Sequence, residues 1–305
     1  MSFSSDTKTE LCRQNISRRC CALAEIYGVL LYCNDFSPRS LRIITENRAF
    51  AERVGRLMRK AFSFFPDSVT PPDRPGKQII TVEDPEKLRR IHAAYGQDDR
   101  IGPSLHINFA VLEEDCCRIA FLRGVFLAGG SVIDPEKRYH LEMVTSHLHV
   151  SRELEALMRE VGFEARSTAR CGNYVTYFKQ REKIEDFLTA VGAPVAAMAI
   201  MNAAVERSLR NRVNRRVNCD AANLDKAVDA ALTQLEAIHR LEAASGLESL
   251  PEHLQQTAKL RLDNPEMTLS ELAEAAVPPV TKSCMSHRLR RIIQLSQDLP
   301  EAAQS

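Results

Sequence analysis

The residues best suited to chemistry lie near the end of the chain. Between Thr281 and Ser296 the apolar residues Met285, Leu289, Ile292 and Ile293 recur at helical spacing. The opposite face is Ser283, Ser286, His287, Arg290 and Gln294, with Lys282, Arg288 and Arg291 at its flanks. Hydroxyl, imidazole and guanidinium groups on one face suit the donor and acceptor edges of base pairs, and the flanking cations suit phosphates. The bland alternative is a three-helix packing module with a solvated basic face. Upstream, "ERSLRNRVNRRVN" sets Arg207, Arg210, Arg212, Arg215 and Arg216 against Glu206 alone. Such a run suits duplex backbone phosphates or, equally, a solvated helix face.

Nine cysteines raise metal and disulfide chemistry, and their spacing supports neither. Cys20–Cys21 and Cys116–Cys117 are adjacent pairs, and no C-x-x-C occurs. They read as reduced, half-buried small apolar residues, so no metal or other cofactor is expected. Nucleotide phosphate binding is no better supported. Gly129–Gly130 in "FLRGVFLAGGSV" follow an apolar helical run instead of preceding one, and no G-K-[ST] is present.

A chain of 305 residues allows two or three domains with room for a buried core. Its 44% hydrophobic and 27% charged residues are those of a globular protein. Net charge is only +1, so attraction to nucleic acid must come from local clusters. "MSFSSDTKTE" lacks the apolar segment of a secretory signal, and no run approaches the ~18 apolar residues of a membrane helix. The expected location is the cytoplasm, with no membrane partner.

The elements that position these groups follow from periodicity and caps. Ser249 with Glu252, and Thr268 with Glu271, have capping-box spacing, and Pro251 suits an early helical position. "VPPV" then separates the second helix from the third. The pattern is a helix-turn-helix whose last helix would enter the major groove. Leu224, Val228, Ala231, Leu235 and Ile238 read as the packed face of a preceding helix.

The first two hundred residues contain a repeat at an offset of 96. "EKLRRIHAAYG" aligns with "EKIEDFLTAVG", each a helix ending in glycine, and Gly28 falls on Gly124. The second unit reads α-β-β-α-β-β-α: a helix from Asp115 to Ala128, a strand in "KRYHLEMVT", and a helix through Leu154, Leu157, Met158 and Val161. A hairpin follows in which "FEARST" and "YVTYF" flank "ARCGN", and the Glu182 helix closes the unit. In the first unit strands are expected near "LRIIT" and "KQIITV", with a helix from Asn47 to Ala61 between them and "FPDSVTPPDRPGK" as a proline-rich loop.

Two such units, each opening on an apolar helix with a central glycine, resemble the LAGLIDADG homing-endonuclease fold. With "YHLEMVTSH", "VNRRVNCDAANLDK", "LESLPEHLQQTAKLRL" and "PPVTKSCMSHRLRR", the chain is more closely similar to the WhiA family, bacterial regulators that join this fold to a C-terminal helix-turn-helix. The resemblance implies that the two opening helices pack through small residues such as Gly28, Gly124 and Ala128. In the endonucleases each helix also delivers a carboxylate that holds divalent metal for phosphodiester cleavage. Here the matching positions are Cys33 and Gly129, and neither supplies the hard anionic oxygen magnesium requires. Asp35 and Asp134 lie further on, in expected turns.

The expected class is therefore α+β: residues 1–195 form a duplicated LAGLIDADG-like domain with halves of about 15–97 and 110–193, 196–222 a basic linker, and 223–300 an all-α helix-turn-helix domain. The expected function is a sequence-specific regulator of transcription that binds double-stranded DNA on the nucleoid without cutting it. By resemblance alone, its process is cell division, chromosome segregation or sporulation, and the resemblance implies a WhiB-like iron–sulfur protein as co-regulator in some lineages. The DNA-binding residues would be Lys282, Ser283, Ser286, His287, Arg288, Arg290 and Arg291, with Arg212, Arg215 and Arg216. Two alternatives remain: a ligand- or protein-sensing module coupled to a DNA reader, and an endonuclease using Asp35 and Asp134. The cations Arg42, Arg138, Arg166 and Lys179 on the strands would add to a DNA surface.

Overall fold

The structure, a computed structural model, describes residues 2–70, 76–96 and 105–299. It divides into two compact units between Arg207 and Ser208.

The first unit opens with α1 (Phe3–Cys12), capped by the Ser2 hydroxyl. Two copies of one element order follow. The first is α2 (Arg19–Leu31), β1 (Asp35–Phe36), β2 (Leu41–Thr45), α3 (Arg48–Phe62), β3 (Ser68–Val69), β4 (Gln78–Val82) and α4 (Pro85–Ala94). The second is α5 (Asp115–Gly129), β5 (Gly130–Val132), β6 (Leu141–Thr145), α6 (Leu148–Glu160), β7 (Arg166–Arg170), β8 (Asn173–Phe178) and α7 (Arg181–Val191). Each copy folds into a four-stranded antiparallel sheet of identical order, β1-β2-β4-β3 and β5-β6-β8-β7. The α-β-β-α-β-β-α duplication is thus present in both halves.

The packing explains the sequence pattern. Helices α2 and α5 are apolar around most of their circumference because both are buried along most of their length. Helices α3 and α6 carry one apolar face each and lie against their own sheets. In the β7–β8 hairpin, Cys171 and Gly172 have φ of 50° and 77°, the left-handed pair a two-residue turn requires. The repeat is not rigid in register. Gly28 matches Gly124 at an offset of 96, whereas the strand starts Leu41 and Leu141 differ by 100, because the second copy has a longer connection into β6.

Two local expectations in the first unit are corrected. The strand expected from Lys137 begins at Leu141, because the Asp134 carbonyl accepts from the amides of Lys137 and Arg138 and turns the chain first. The segment expected as a loop from Phe65 to Lys77 contains β3, which pairs with β4; its residues 71–75 lie outside those described. Helix α1 had no counterpart in the sequence reading.

Helix α8 (Pro194–Ser245) starts in the first unit, where the Glu10 carboxylate accepts from the amides of Val195 and Ala196 at 2.7 and 3.0 Å. Residues 196–222 and the helix expected after them are one continuous element. Leu224 and Val228, expected to pack, are exposed; Ala231 and Leu235 are half-buried, and burial resumes at Gln234, Ala237, Ile238 and Leu241.

The second unit adds α9 (Glu252–Asp263), α10 (Leu269–Ala275) and α11 (Lys282–Gln297) around a core of Leu254, Leu272, Met285, Leu289 and Ile292. The Thr268–Glu271 capping box forms, with bonds of 3.3 and 2.7 Å. The Ser249–Glu252 box does not. Pro251 is itself the N-cap of α9, and the Ser249 hydroxyl turns back to the Gly246 carbonyl. No helix among the described residues is long and apolar enough to cross a membrane.

Candidate nucleic-acid interface and the paired helix tips

Helices α2 and α5 meet through their glycines. A Cβ at Gly28 would overlap the Phe121 carbonyl and the Val125 amide; one at Gly124 would overlap the Glu25 carbonyl and the Val29 amide. Phe121 and Val125 stand 96 residues beyond Glu25 and Val29, so the two contacts are exchanged by the duplication. The helix pair is a pseudo-twofold interface in which only glycine lets the backbones approach. Alongside it lies an ion cluster that the sequence did not disclose. Glu25, 2% exposed, accepts from Arg53 Nε at 2.5 Å and Nη2 at 2.8 Å and from Arg123 Nη1 at 3.2 Å. Arg53 in turn donates to the carbonyls of Cys12 and Gln14 at 3.2 and 2.6 Å. A buried carboxylate is tolerable only when paired in this way.

At the opposite ends of these helices are Cys33 and Gly129. Cys33 Sγ lies 3.1 Å from the carbonyl oxygens of both Leu30 and Asp35, and burial pushes its thiol up to about 12. A neutral thiol donating to carbonyls is a poor ligand for magnesium. The glycine at 129 has a packing reason. A Cβ there would fall 2.5 Å from the Tyr32 ring and 2.7 Å from the Val144 carbonyl oxygen, so no carboxylate could be attached without displacing a neighbour. Asp35 accepts from the Ser40 hydroxyl, and Asp134 accepts from the Glu136 amide at 3.0 Å, each stabilising its own turn.

In the second unit α11 divides as its periodicity requires. Met285, Leu289 and Ile292 are buried, while Lys282, Ser283, His287, Arg290, Arg291 and Gln294 are exposed and Ser286 and Arg288 half-buried. Thr281 caps the helix by accepting from the Cys284 amide at 3.2 Å. Arg290 donates to the Ser286 hydroxyl at 3.2 Å, and Arg291 to the Gln294 amide oxygen at 3.2 Å, so two separate pairs lie along the outward strip. Behind it, Arg261 is buried; it donates to Gln234 Oε1 at 2.9 Å and to the Met267 carbonyl at 2.7 Å, tying the α9–α10 turn to α8. The sequence reading missed this residue, since a lone arginine on an amphipathic helix looks solvated.

Of the arginines in α8, Arg212, Arg215 and Arg216 are exposed. Arg207 is not available. It donates to the carbonyls of Pro135 and Glu136 at 2.7 and 2.9 Å and lies over the Tyr139 ring at 5.0 Å. In the first unit Arg42, Arg138, Arg166 and Lys179 are exposed, and every residue of β7 faces solvent.

The cysteines depart from expectation. Cys20, Cys21, Cys116 and Cys117 converge, with all four sulfurs within 4.8 Å of one another, and they are the only such group of three or more potential metal ligands among the described residues. Spacing along the chain did not anticipate this convergence, because it tests ligands from one loop, whereas these come from two helices 96 residues apart.

Comparison with known proteins adds to this geometry. Residues 213–296 match the family model of the WhiA C-terminal HTH domain, and residues 118–210 that of the WhiA LAGLIDADG-like domain. The chain is 36% identical to the "Probable cell division protein WhiA" of Ruminiclostridium cellulolyticum, with 97% of each chain aligned. It is 38% identical to the protein of the same name from Desulforudis audaxviator, over 98% of each. Its fold matches the crystal structure of full-length DUF199/WhiA from Thermatoga maritima with a TM-score of 0.60, at 26% identity, over 99% of this chain and 100% of that one.

Proposed function

This chain belongs to the WhiA family, and from that premise we propose that it is a sequence-specific, DNA-binding regulator of transcription that leaves its DNA intact. The observation that carries the reading is the exposed strip on α11, the last helix of a helix-turn-helix domain. Ser283, Ser286, His287 and Arg290 present hydroxyl, imidazole and guanidinium groups suited to base edges, and Lys282, Arg288 and Arg291 bracket them with charge for phosphates. Arg212, Arg215 and Arg216 supply further phosphate contacts from α8. The first unit is a LAGLIDADG-like scaffold whose helix tips hold a thiol and a glycine where a nuclease needs acids, which supports the absence of cleavage.

The relatives' name supports a role in cell division; chromosome segregation and sporulation are the related processes the family implies. The protein acts in the cytoplasm on the nucleoid. A WhiB-like iron–sulfur protein is the co-regulator that the family suggests. The functional segments are residues 1–195, the basic stretch 196–222 and the reader at 223–300.

The test is a comparison of specific with non-specific affinity. A duplex selected from a random library and an unrelated duplex are each titrated with the full chain and with Arg290→Ala. Loss of a bidentate base contact costs about 1–3 kcal/mol on the selected duplex only. Equal losses on both duplexes would make Arg290 a phosphate contact and remove the basis for base readout by α11.

A further inference from the structure

We propose that Cys20, Cys21, Cys116 and Cys117 form a tetrathiolate site for one thiophilic divalent cation, Zn²⁺, between the N-termini of α2 and α5. The four sulfurs already lie within 4.8 Å of one another. A tetrahedral zinc with Zn–S bonds of about 2.3 Å sets its sulfurs ~3.8 Å apart, so the group needs only a small contraction to close on the ion. An iron–sulfur cluster fits less well, because its inorganic core stands between the cysteine sulfurs and holds them further apart.

The site is built by the duplication. The offset that carries Gly28 onto Gly124 also carries Cys20 onto Cys116 and Cys21 onto Cys117. Each pair occupies the second and third positions of its helix, and the exchanged glycine contacts bring the two helix starts together. Adjacent cysteines in one helical turn, unremarkable separately, become four convergent ligands on the pseudo-twofold.

Nearby positive groups can offset the charge of a bound tetrathiolate complex. Neither α2 nor α5 has a side-chain cap at its N-terminus, so the positive end of each helix dipole lies beside the cysteine pair in its first turn. Arg18 adds a guanidinium, with Nη1 3.8 Å from Cys116 Sγ. Zinc entering four thiols releases four protons to solvent and leaves a complex of net charge −2, which these groups offset. Cys117 is buried, Cys21 and Cys116 half-buried and Cys20 exposed, so the ion has a way in and a closed floor.

The consequence is a reversal of polarity in the scaffold. The tips at Cys33 and Gly129 lack hard acids, while a soft-metal site occupies the other end of the same helices, roughly 20 Å away along α2 at 1.5 Å per residue. The ion would act as a clamp between the two halves of the first unit. It does not depend on whether α11 reads DNA.

The full chain is purified under reductant and without chelator, and bound metal is measured by elemental analysis. The apoprotein is then titrated with Co²⁺, whose intense thiolate charge-transfer and tetrahedral d–d bands report the ligand set directly. The expected result is one zinc per chain and a tetrathiolate cobalt spectrum. Zinc should be lost from the variants C20S/C116S and C21S/C117S and retained by C219S, whose exposed cysteine lies outside the group. The cobalt spectrum of the unaltered chain needs no variant to fold. Substoichiometric zinc, a cobalt spectrum without thiolate bands, equal retention by both double variants, or a disulfide between the pairs in reduced material would each overturn the proposal.

Discussion

Gly124→Ala and Gly55→Ala are the same substitution in two helices of one unit, and the packing gives them opposite signs. At Gly55, in α3, nothing lies within 4 Å of the added Cβ. Alanine there removes backbone freedom from the unfolded chain and stabilises by about 0.5–1 kcal/mol. At Gly124 the methyl would lie 2.9 Å from the Glu25 carbonyl carbon and 3.1 Å from the Val29 amide nitrogen, and would overlap the Glu25 oxygen. These are backbone atoms of a buried helix, so relief requires α2 and α5 to separate. Overpacking costs of about 1–3 kcal/mol apply at their upper end, partly offset by about 1 kcal/mol of helix propensity. The net loss is about 2 kcal/mol, which at about 2–4 °C per kcal/mol lowers Tm by ~4–8 °C. Scanning calorimetry of the full chain, following the transition of the first unit, reads both variants. The Gly28→Ala variant should behave like Gly124→Ala, and the double variant should cost less than the sum, because the helices separate only once. A neutral or stabilising Gly124→Ala would refute the close helix contact and, with it, the pseudo-twofold.

Three further outcomes are expected. Arg215→Ala should weaken selected and unrelated duplexes alike and flatten the slope of log affinity against log salt by about one unit; an unchanged slope, measured by fluorescence anisotropy, would take α8 out of the interface. Arg261→Ala leaves the carbonyl of Met267 and Gln234 without their buried donor, so the urea midpoint of the second unit should fall by an amount equivalent to about 1–3 kcal/mol; a surface-like change below about 0.5 kcal/mol would contradict the buried network. Burial lowers Lys8 to about 8 from an ordinary 10.5, so between those values the unfolded chain binds more protons than the folded one and this group makes stability rise with pH. The stability advantage of Lys8→Met over the unaltered chain should therefore shrink between about pH 8 and about pH 10.5 in urea titrations, and a constant advantage would show that Lys8 is solvated.

Periodicity made the half-buried elements legible. Helices α3, α6 and α7 and strands β2, β4 and β6 each bury one face, and alternation or helical spacing records that burial directly. The outward strip of α11 was legible for the same reason, since fixing Met285, Leu289 and Ile292 inside places Arg290 and His287 outside. Helix α1 escaped because it buries only Thr7, Leu11 and Cys12, too few to set a period. The Glu25–Arg53–Arg123 cluster, Arg261 and the four cysteines escaped for another reason. Each is a juxtaposition of residues far apart in the chain, and spacing along one element carries no record of it. The first capping box failed through competition, as the Ser249 hydroxyl found a nearer carbonyl at Gly246.

The measurement that tests the account most directly uses one supercoiled plasmid bearing a selected site, incubated with the full chain and magnesium and run on a gel before and after removal of protein. The account predicts slowed migration while protein is bound and unaltered supercoiled DNA once it is stripped away. Conversion to nicked or linear plasmid, abolished by EDTA, would contradict it, because hard-metal cleavage would then occur on a scaffold whose helix tips offer only Cys33 and Gly129.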